Sequence, residues 1–334
     1  MDSKTKTTLV PETITTLVKA HFGTSIQIEE IIPLTAGYFN TAYAIHFSNL
    51  KPDVVLRVAP HPDQPVLTYE KDLMRREGLI LETIQQLEDI PYVPQLLGYD
   101  FSRELIERDY MFIEKLSGVA LHDIKEKLTP ENLQEIEYQV GQYIARLGQV
   151  NGKSFGYPGH GPGHDSNSWR SAFVAMMKAV LNDGESLEAP LPVSYNVLRE
   201  IVHQHAYALE EIKEPALVHW DLWAGNVFVT PQNGKYVLEG IIDWERALWG
   251  DPDVETAVAC RFYGPAFFEG YGKQLAEQGT EAIRQSLYRL YLWLLLLIEI
   301  KVRHYEPDYL PWAREQLQKD VDFLRENECG SNCV

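Results

Sequence analysis

The chain changes in character near Gly118, from short β-like runs to long helical patterns. Before that point, runs rich in β-branched and aromatic residues are separated by turn-forming Gly, Asn, Pro and Asp, which is typical of a small sheet. Strands are expected at residues 26–32, 42–47, 54–58, 93–99 and 110–114. A single helix is expected over residues 67–87, because apolar residues recur there at helical spacing.

After Gly118, apolar residues recur mostly with the period of a helix. Helices are expected at residues 130–150, 169–181, 195–212, 281–305 and 312–326, with a Gly/Pro/His-rich loop at 155–168. Two β-like segments, 227–230 and 236–242, flank Asn233-Gly234, a strong hairpin signal. The pattern predicts an α+β protein with a mainly β first lobe (1–116) and a larger, mainly helical second lobe (117–334). A cleft between such lobes is the natural place for a site.

The charge balance and the hydrophobic pattern exclude several classes of partner. Forty-eight acidic against 30 basic residues give a formal charge of −18, which disfavours binding to nucleic acid or an anionic membrane. The most apolar run, 291–300, is short and contains Glu299, so it predicts a buried helix. Three cysteines and no signal-like core at the N-terminus indicate a cytoplasmic protein with reduced thiols. Cys329 and Cys333 are expected in a frayed terminus. No feature of the sequence indicates an oligomeric state.

A dense set of polar residues flanks the predicted hairpin. His219, Asp221 and Asn226 precede it and Asp243 follows it, all beside apolar runs where unpaired polar groups are costly. Phosphoryl transfer needs a carboxylate that accepts the proton of the attacking hydroxyl, and oxygen ligands for Mg²⁺. The order H-x-D-x-x-x-x-N, hairpin, D predicts Asp221 as the base, Asn226 and Asp243 as metal ligands, and His219 as a brace for the loop.

A metal-dependent hydrolase is the alternative chemistry for the same residues. It would use His219, Asp221 and Asp243 as ligands and would need further ones nearby. His203 and His205 are the near histidines, but a spacing of two puts them on different helix faces. Dependence on a nucleotide would separate the two hypotheses, and the pattern favours the kinase.

Residues 218–229 (VHWDLWAGNVFV) and 241–252 (IIDWERALWGDP) resemble the catalytic and metal-binding loops of the aminoglycoside phosphotransferase family, a branch of the protein-kinase-like fold. As in that family, Trp220 stands where protein kinases have arginine, and Trp244-Glu245 follow Asp243. Glu255 stands where the family often has Asp. The resemblance extends over roughly residues 31–270 and implies a two-lobed kinase-like fold that binds ATP or GTP with Mg²⁺.

The resemblance also implies a nucleotide site in the first lobe. Residues 34–43 (LTAGYFNTAY), with Gly37 and Asn40, are similar to the family's loop over the nucleotide phosphates. Residues 54–58 (VVLRV) resemble its third strand, and Arg57 replaces the lysine of protein kinases while keeping the ability to bind phosphate and carboxylate. Either Glu70 or Glu77 would pair with Arg57, and counting back from residues 93–98 favours Glu77.

Residues 111–118 (MFIEKLSG) resemble the family's hinge between the lobes. Backbone groups at Glu114 and Leu116 would hydrogen-bond the purine there. A non-catalytic kinase-like binding module would be expected to lack the base or a metal ligand. Asp221, Asn226 and Asp243 are all present, which favours an enzyme.

The acceptor implied by the resemblance is a hydroxyl of a small molecule. The acidic balance favours a cationic acceptor, with an aminoglycoside or another antibiotic as the first hypothesis. Glu245, Asp251 and Asp253 are candidate pocket residues, although Asp251 beside Pro252 is expected rather to cap a turn. Relatives also phosphorylate fructosamines, choline, homoserine and methylthioribose. The stretch from Asp221 to Asn226 is similar to fructosamine kinases, so a metabolite kinase remains the alternative. The aromatic residues spaced along the helices are expected mostly in the core.

Overall fold

A five-stranded antiparallel sheet with the order β1-β2-β3-β5-β4 forms the first lobe. In the computed structural model, residues 8–35, 37, 39–87, 89–303 and 308–327 are described. The strands are β1 (Ile28–Leu34), β2 (Thr41–Phe47), β3 (Val54–Val58), β4 (Leu96–Asp100) and β5 (Tyr110–Glu114). The five predicted strands are therefore confirmed, although the fourth starts three residues later than expected.

The two faces of this sheet pack against different partners because successive side chains of a strand point to opposite sides. On β5, Tyr110 and Phe112 belong to a small core that also contains Ile14, Leu17 and Val18. These three residues lie on helix α1 (Pro11–Phe22), which the sequence analysis did not predict. Proline at the first turn and apolar residues spaced three and four apart are the signals that would have revealed it.

The opposite face of the sheet packs against helix α2 (Leu73–Gln85) and joins the core of the larger lobe. Met111 and Ile113 of β5 share that core with Ile80 and Ile84 of α2. The predicted helix over 67–87 begins instead as a 3₁₀ turn (Thr68–Glu70), and Asp72, with φ 58°, separates that turn from α2. This break puts Glu70 on the 3₁₀ turn and Glu77 on α2, so the two candidate partners of Arg57 lie on different elements rather than on one helix.

The larger lobe begins with β6 (Val119–Ala120) and is built mainly from helices. They are α3 (Leu121–Ile124), α4 (Pro130–Leu147), α5 (Trp169–Ser186), α6 (Tyr195–His205), α7 (Val254–Phe262), α8 (Pro265–Tyr271), α9 (Gly279–Ile298), α10 (Ile300–Arg303) and α11 (Leu310–Glu326). Helices α7 and α8 were not predicted. Helix α9 is buried along most of its length, as expected for the apolar run. Across the described ranges, no helix combines the length and the apolar character needed to cross a membrane.

A hairpin lies among these helices and carries the polar cluster at its base. Strands β8 (Val227–Gln232) and β9 (Lys235–Ile241) pair antiparallel, and β6 joins β8 at the other edge. Asn233 and Gly234 form the two-residue turn, and both have positive φ, as a type I′ turn requires. A second small sheet pairs β7 (Ala216–Val218) with β10 (Leu248–Gly250). The chain passes from β7 into the hairpin and from the hairpin into β10, and β7 pairs with β10. The polar segments before and after the hairpin are therefore held between two small sheets.

Removing the buried side chain of Leu17 tests the packing of α1 on the sheet. We expect Leu17→Ala to lower the free energy of unfolding by about 2–5 kcal/mol, because it leaves a cavity in the small core. Thr16→Ala, on the exposed side of the same helix, is the matched control and is expected within about 0.5 kcal/mol of the wild type. Urea denaturation measures both, and equal effects of the two substitutions would contradict this packing.

Candidate active site

The loop between β7 and β8 is closed by the side chain of Asn226. Its Nδ2 donates to the main-chain oxygen of Asp221 at 2.9 Å and to the Asp221 carboxylate Oδ2 at 3.1 Å. The main-chain oxygen of Asn226 accepts from the N–H of Ile242, next to Asp243. These bonds hold Asp221 and Asn226 beside the end of β9. Among the described residues, Asn226 Oδ1 has no hydrogen-bond donor, so this oxygen is available as a ligand.

His219 braces the same loop through both nitrogens of its ring. Nε2 donates to the main-chain oxygen of Ile242 at 3.0 Å, and Nδ1 accepts from the N–H of Asp221 at 3.2 Å. This pattern requires a neutral ring with its proton on Nε2. Burial lowers the pKa of His219 to about 4, which keeps the ring neutral. Both nitrogens are thus occupied by backbone partners, which argues against the role of metal ligand in a hydrolase.

Glu255 on α7 holds the main chain just before Asp221, a role that the sequence analysis did not predict. Its Oε1 accepts from the main-chain N–H groups of His219 and Trp220. Trp220 has φ 67°, so the backbone turns sharply just before Asp221. Burial raises the pKa of Glu255 to about 7. The signal in the sequence was an acidic residue following Gly250-Asp251-Pro252, but only the fold shows which backbone groups it contacts.

Arg57 is buried at the centre of the cleft and contacts three carboxylates. Its Nη1 donates to Glu77 Oε1 at 2.5 Å, and its Nη2 donates to Asp243 Oδ1 at 2.8 Å and to Glu245 Oε2 at 3.1 Å. Glu77 also accepts from the N–H of Trp244 at 3.2 Å. The structure therefore brings Arg57 of β3, Glu77 of α2 and the segment after the hairpin together at one point.

Glu70, the other candidate partner of Arg57, belongs to a different cluster. Its Oε1 accepts from Arg303 Nη2 at 2.6 Å, and its Oε2 accepts from the N–H of Leu67. Glu77 is thus the glutamate that contacts Arg57. Glu70 and Arg303 join the 3₁₀ turn before α2 to helix α10.

Glu245 completes the carboxylate cluster and links it to the phosphate-loop candidate. Its Oε2 accepts from Asn40 Nδ2 at 2.7 Å. Oxygen atoms of Glu77, Asp243 and Glu245 lie within 4.8 Å of one another, a group that could hold a metal ion. Three carboxylates around one guanidinium carry a net charge of −2 when all are ionised. Burial raises the pKa of Glu77 to about 7 and that of Glu245 to about 8, so the cluster favours a cation or a proton.

The carboxylate cluster and Asn226 fit a hard divalent cation. Mg²⁺ prefers carboxylate and amide oxygens and usually takes only one or two carboxylates from the protein. Asp243 is 31% exposed at its side chain, so it can reach a ligand, whereas Glu77 and Glu245 are buried against Arg57. Asp243 is therefore the carboxylate of the cluster that could hold such an ion, and Asn226, which pairs with Ile242 next to Asp243, offers an amide oxygen.

The predicted nucleotide-loop and hinge residues differ in how their main chains are engaged. Gly37 has φ 89°, a conformation that glycine adopts without strain, while its neighbours at 36 and 38 lie outside the described residues. The N–H of Glu114 donates to Gln95 O at 2.8 Å and is thus engaged within the sheet. The N–H of Leu116 has no acceptor among the described residues. Glu239 of β9 accepts from the N–H groups of Ser117 and Gly118, which anchors the predicted hinge to the hairpin.

Two of the three carboxylates expected in an acceptor pocket are engaged elsewhere. Asp251 is buried and accepts from Tyr288 Oη at 2.8 Å and from Arg284 Nε at 3.1 Å. Asp253 is buried too and accepts from Lys273 Nζ at 2.5 Å. Neither is therefore a free carboxylate of a pocket for a cationic acceptor, because each already has a partner for its charge, and Asp251 also accepts from the N–H of Asp253 in the turn expected there. Most of the aromatic residues spaced along the helices lie in the core, as expected, among them Trp169, Phe173, Tyr263, Phe267 and Phe268.

The model of the family described as "Phosphotransferase enzyme family" matches residues 30–287, more than three quarters of the chain. The chain belongs to this family and is an enzyme of the phosphotransferase class. Cys329 and Cys333 lie beyond both this match and the described residues.

Two curated relatives match parts of the chain. A probable ketoamine kinase of Staphylococcus aureus is 28% identical over 177 residues, 48% of this chain and 59% of that protein. The chloroplastic protein-ribulosamine 3-kinase of Arabidopsis thaliana is 29% identical over 82 residues, 24% of each chain. The matched stretches thus span less than two thirds of either relative's length.

Solved structures resemble the whole chain. A candidate fructosamine-3-kinase from Thermobifida fusca is 19% identical, with a TM-score of 0.67 over 94% of this chain and 98% of the other. A thermostable aminoglycoside phosphotransferase in complex with AMP-PNP and hygromycin B is also 19% identical, with a TM-score of 0.62 over 93% and 98%. These likenesses confirm the α+β, two-lobed protein-kinase-like fold.

The raised pKa of Glu255 predicts a pH-dependent stability. A glutamate whose pKa rises on folding, here from 4.5 to about 7, stabilises the protein below the unfolded value and loses that contribution as pH rises through the folded one. Glu255→Gln keeps an oxygen for the two N–H groups but does not titrate. We expect the wild type to lose stability relative to this variant between pH 5 and pH 7, with a slope on the order of 1 kcal/mol per pH unit. Urea denaturation across this range measures it, and a constant difference would contradict the assignment.

Proposed function

We propose that the protein is a Mg²⁺-dependent kinase that transfers the γ-phosphoryl group of ATP to a hydroxyl group of a small molecule. The observation that carries this proposal is the joint placement of Asp221, Asn226 and Asp243. Asn226 hydrogen-bonds the carboxylate of Asp221, and its main-chain bond to the residue before Asp243 brings Asp243 close to them. Asp243 in turn accepts from the guanidinium of Arg57. One base, two oxygen ligands and one cation at a single point are the groups that phosphoryl transfer requires.

Asp221 would act as the base that orients the acceptor hydroxyl and accepts its proton. Burial raises the pKa of Asp221 to about 6, which brings it nearer to the pH at which a general base works well. The bond from Asn226 Nδ2 holds one carboxylate oxygen, so the other is free to meet the acceptor. Arg246 is close enough to favour the ionised form.

Asn226 and Asp243 would hold the metal ion, with Arg57, Glu77 and Glu245 behind them. When bound, Mg²⁺ supplies positive charge against the phosphate oxygens of the nucleotide. Arg57 would turn part of its guanidinium toward the same phosphates while Glu77 holds it in place. Gly37 and Asn40 would cover the phosphates, and main-chain groups at Glu114 and Leu116 would face the purine.

For the acceptor, we propose a ketoamine. This is a ketose sugar that carries an amine on the carbon next to its ketone. The support is that both curated relatives carry names of this class, a ketoamine kinase and a ribulosamine kinase. An aminoglycoside is the second candidate, because one structural neighbour is an aminoglycoside kinase with hygromycin B bound. The engagement of Asp251 and Asp253 removes the structural reason to prefer a highly cationic acceptor.

The substitution Asp221→Asn tests the proposed base. We expect turnover to fall by about 10²–10⁴-fold, because the amide cannot accept the proton, while nucleotide affinity stays within about twofold. Single-turnover transfer from radiolabelled ATP measures the first effect, and calorimetric titration with ADP measures the second. Asp165→Asn, in the loop between α4 and α5, is the control. Unchanged turnover in Asp221→Asn would reject the mechanism.

A panel of acceptors tests the substrate class. Fructosamine and ribulosamine derivatives of lysine, several aminoglycosides, choline, homoserine and methylthioribose would each be offered with ATP or GTP. We expect kcat/KM to be highest for a ketoamine. A preference for an aminoglycoside would overturn the acceptor proposal and leave the kinase proposal intact, whereas absence of nucleotide binding would contradict both.

A further inference from the structure

The structure has a groove of about 770 Å³ in the larger lobe, between α5 on one side and α6 with the following 3₁₀ turn (Ala206–Glu211) on the other. None of the residues assigned above to catalysis, metal or nucleotide lines it. Pockets for small organic ligands range from about 300 to 1,000 Å³, so the groove has room for such a molecule. Along α5 it extends from Arg170 to Asn182, roughly 18 Å at 1.5 Å per residue.

The floor of the groove is apolar. Met177 and Leu181 of α5, Val202 of α6 and Ala206 of the 3₁₀ turn line it, and all four are buried. Val174, also on α5, and Ile212 are half-buried at the groove. A ligand with an apolar body would cover the apolar surface that Val174 and Ile212 still expose, which stabilises binding by about 25 cal/mol per Å².

The rim of the groove is basic, in a chain that is strongly acidic overall. Its charged lining comprises four cations and one carboxylate: Arg170, Lys178, Arg199, Lys213 and Glu210. In the whole chain, by contrast, 48 acidic residues outnumber 30 basic ones. The cations therefore mark this surface as one of locally positive potential, which attracts anions.

Two of these cations keep their charge available. Arg170 pairs with Glu210, and Arg199 pairs with Glu185 at 2.6 Å. Within the described part of the chain, neither Lys178 nor Lys213 has an acidic partner within ion-pair distance. The four cations of the rim, with the two carboxylates of Glu210 and Glu185, give a net charge of +2.

We propose that this groove is a second small-molecule site, separate from the catalytic cleft, that binds an organic anion with an apolar body. The apolar floor receives the body, and Lys178 and Lys213 attract the sulfonate, carboxylate or phosphate of the ligand. The inference rests on the groove alone and does not depend on the proposed kinase activity.

Three probes with the same body and different charge test the proposal: naphthalene-1-sulfonate, naphthalene-1-methanol and naphthalene-1-methylamine. Isothermal titration calorimetry with the full-length chain should show one site for the sulfonate, at least tenfold weaker binding of the alcohol, and no binding of the cationic amine. Equal affinity for all three would overturn the proposal, because the basic rim would then play no part.

Variants locate the site. The double variant Lys178→Gln with Lys213→Gln should weaken sulfonate binding about tenfold, and Val174→Glu should abolish it. Lys235→Gln, an exposed lysine on the hairpin, is the control and should bind like the wild type. Saturating ADP with Mg²⁺ should leave the affinity unchanged. Wild-type binding by the double variant, or competition by ADP, would place the probe elsewhere and contradict the proposal.

Discussion

The site depends on one buried guanidinium that three carboxylates share. Arg57 lies on the sheet of the first lobe, Glu77 on α2, and Asp243 and Glu245 on the segment that follows the hairpin of the second lobe. Breaking a buried ion pair by removing one partner typically costs about 3–5 kcal/mol, because the remaining charge is left without compensation. The three parts of the chain are thereby held in one arrangement, and the two lobes meet at this cluster of ion pairs. The same crowding leaves an excess of negative charge that favours a divalent cation.

The loop that carries Asp221, the proposed base, is held mainly through backbone contacts. His219 bridges Ile242 and Asp221, Glu255 accepts two main-chain N–H groups, and Asn226 closes the loop onto Asp221. The main-chain N–H groups of His219, Trp220 and Asp221 thus have acceptors, whereas each one left unpaired when buried would cost about 1–3 kcal/mol. Asp221 therefore has a fixed position before any substrate arrives, which is the kind of preorganisation that catalysis requires.

Much of this arrangement could be predicted from the sequence because the signals were local. Runs of β-branched and aromatic residues between turn-forming residues predicted the five strands, and Asn233-Gly234 predicted the hairpin and its turn. The spacing of Asp221, Asn226 and Asp243 around that hairpin predicted which residues meet in the cleft. These inferences succeed because each concerns neighbours along the chain or across one short turn.

Long-range contacts were the part that the sequence could not show. Glu245 lies on a short 3₁₀ turn (Trp244–Arg246) and Glu255 lies on α7, positions that by themselves indicate no role. Only tertiary packing brings Glu245 to Arg57 and Glu255 to the main chain of Trp220. Asp251 and Asp253 resembled pocket residues until the structure placed Arg284 and Lys273 against them. The break at Asp72 separated Glu70 from Glu77 in the same way, since one left-handed residue interrupts an otherwise continuous helical pattern.

The most direct measurement is a crystal structure with Mn²⁺ and a non-hydrolysable ATP analogue, with the metal located by anomalous scattering. The account predicts a single main peak within about 2.5 Å of an oxygen of Asp243 and of Asn226, with Arg57 still paired to Glu77 and the terminal phosphate directed toward Asp221. A metal bound away from Asp243 and Asn226, or a nucleotide bound outside the cleft between the lobes, would contradict it.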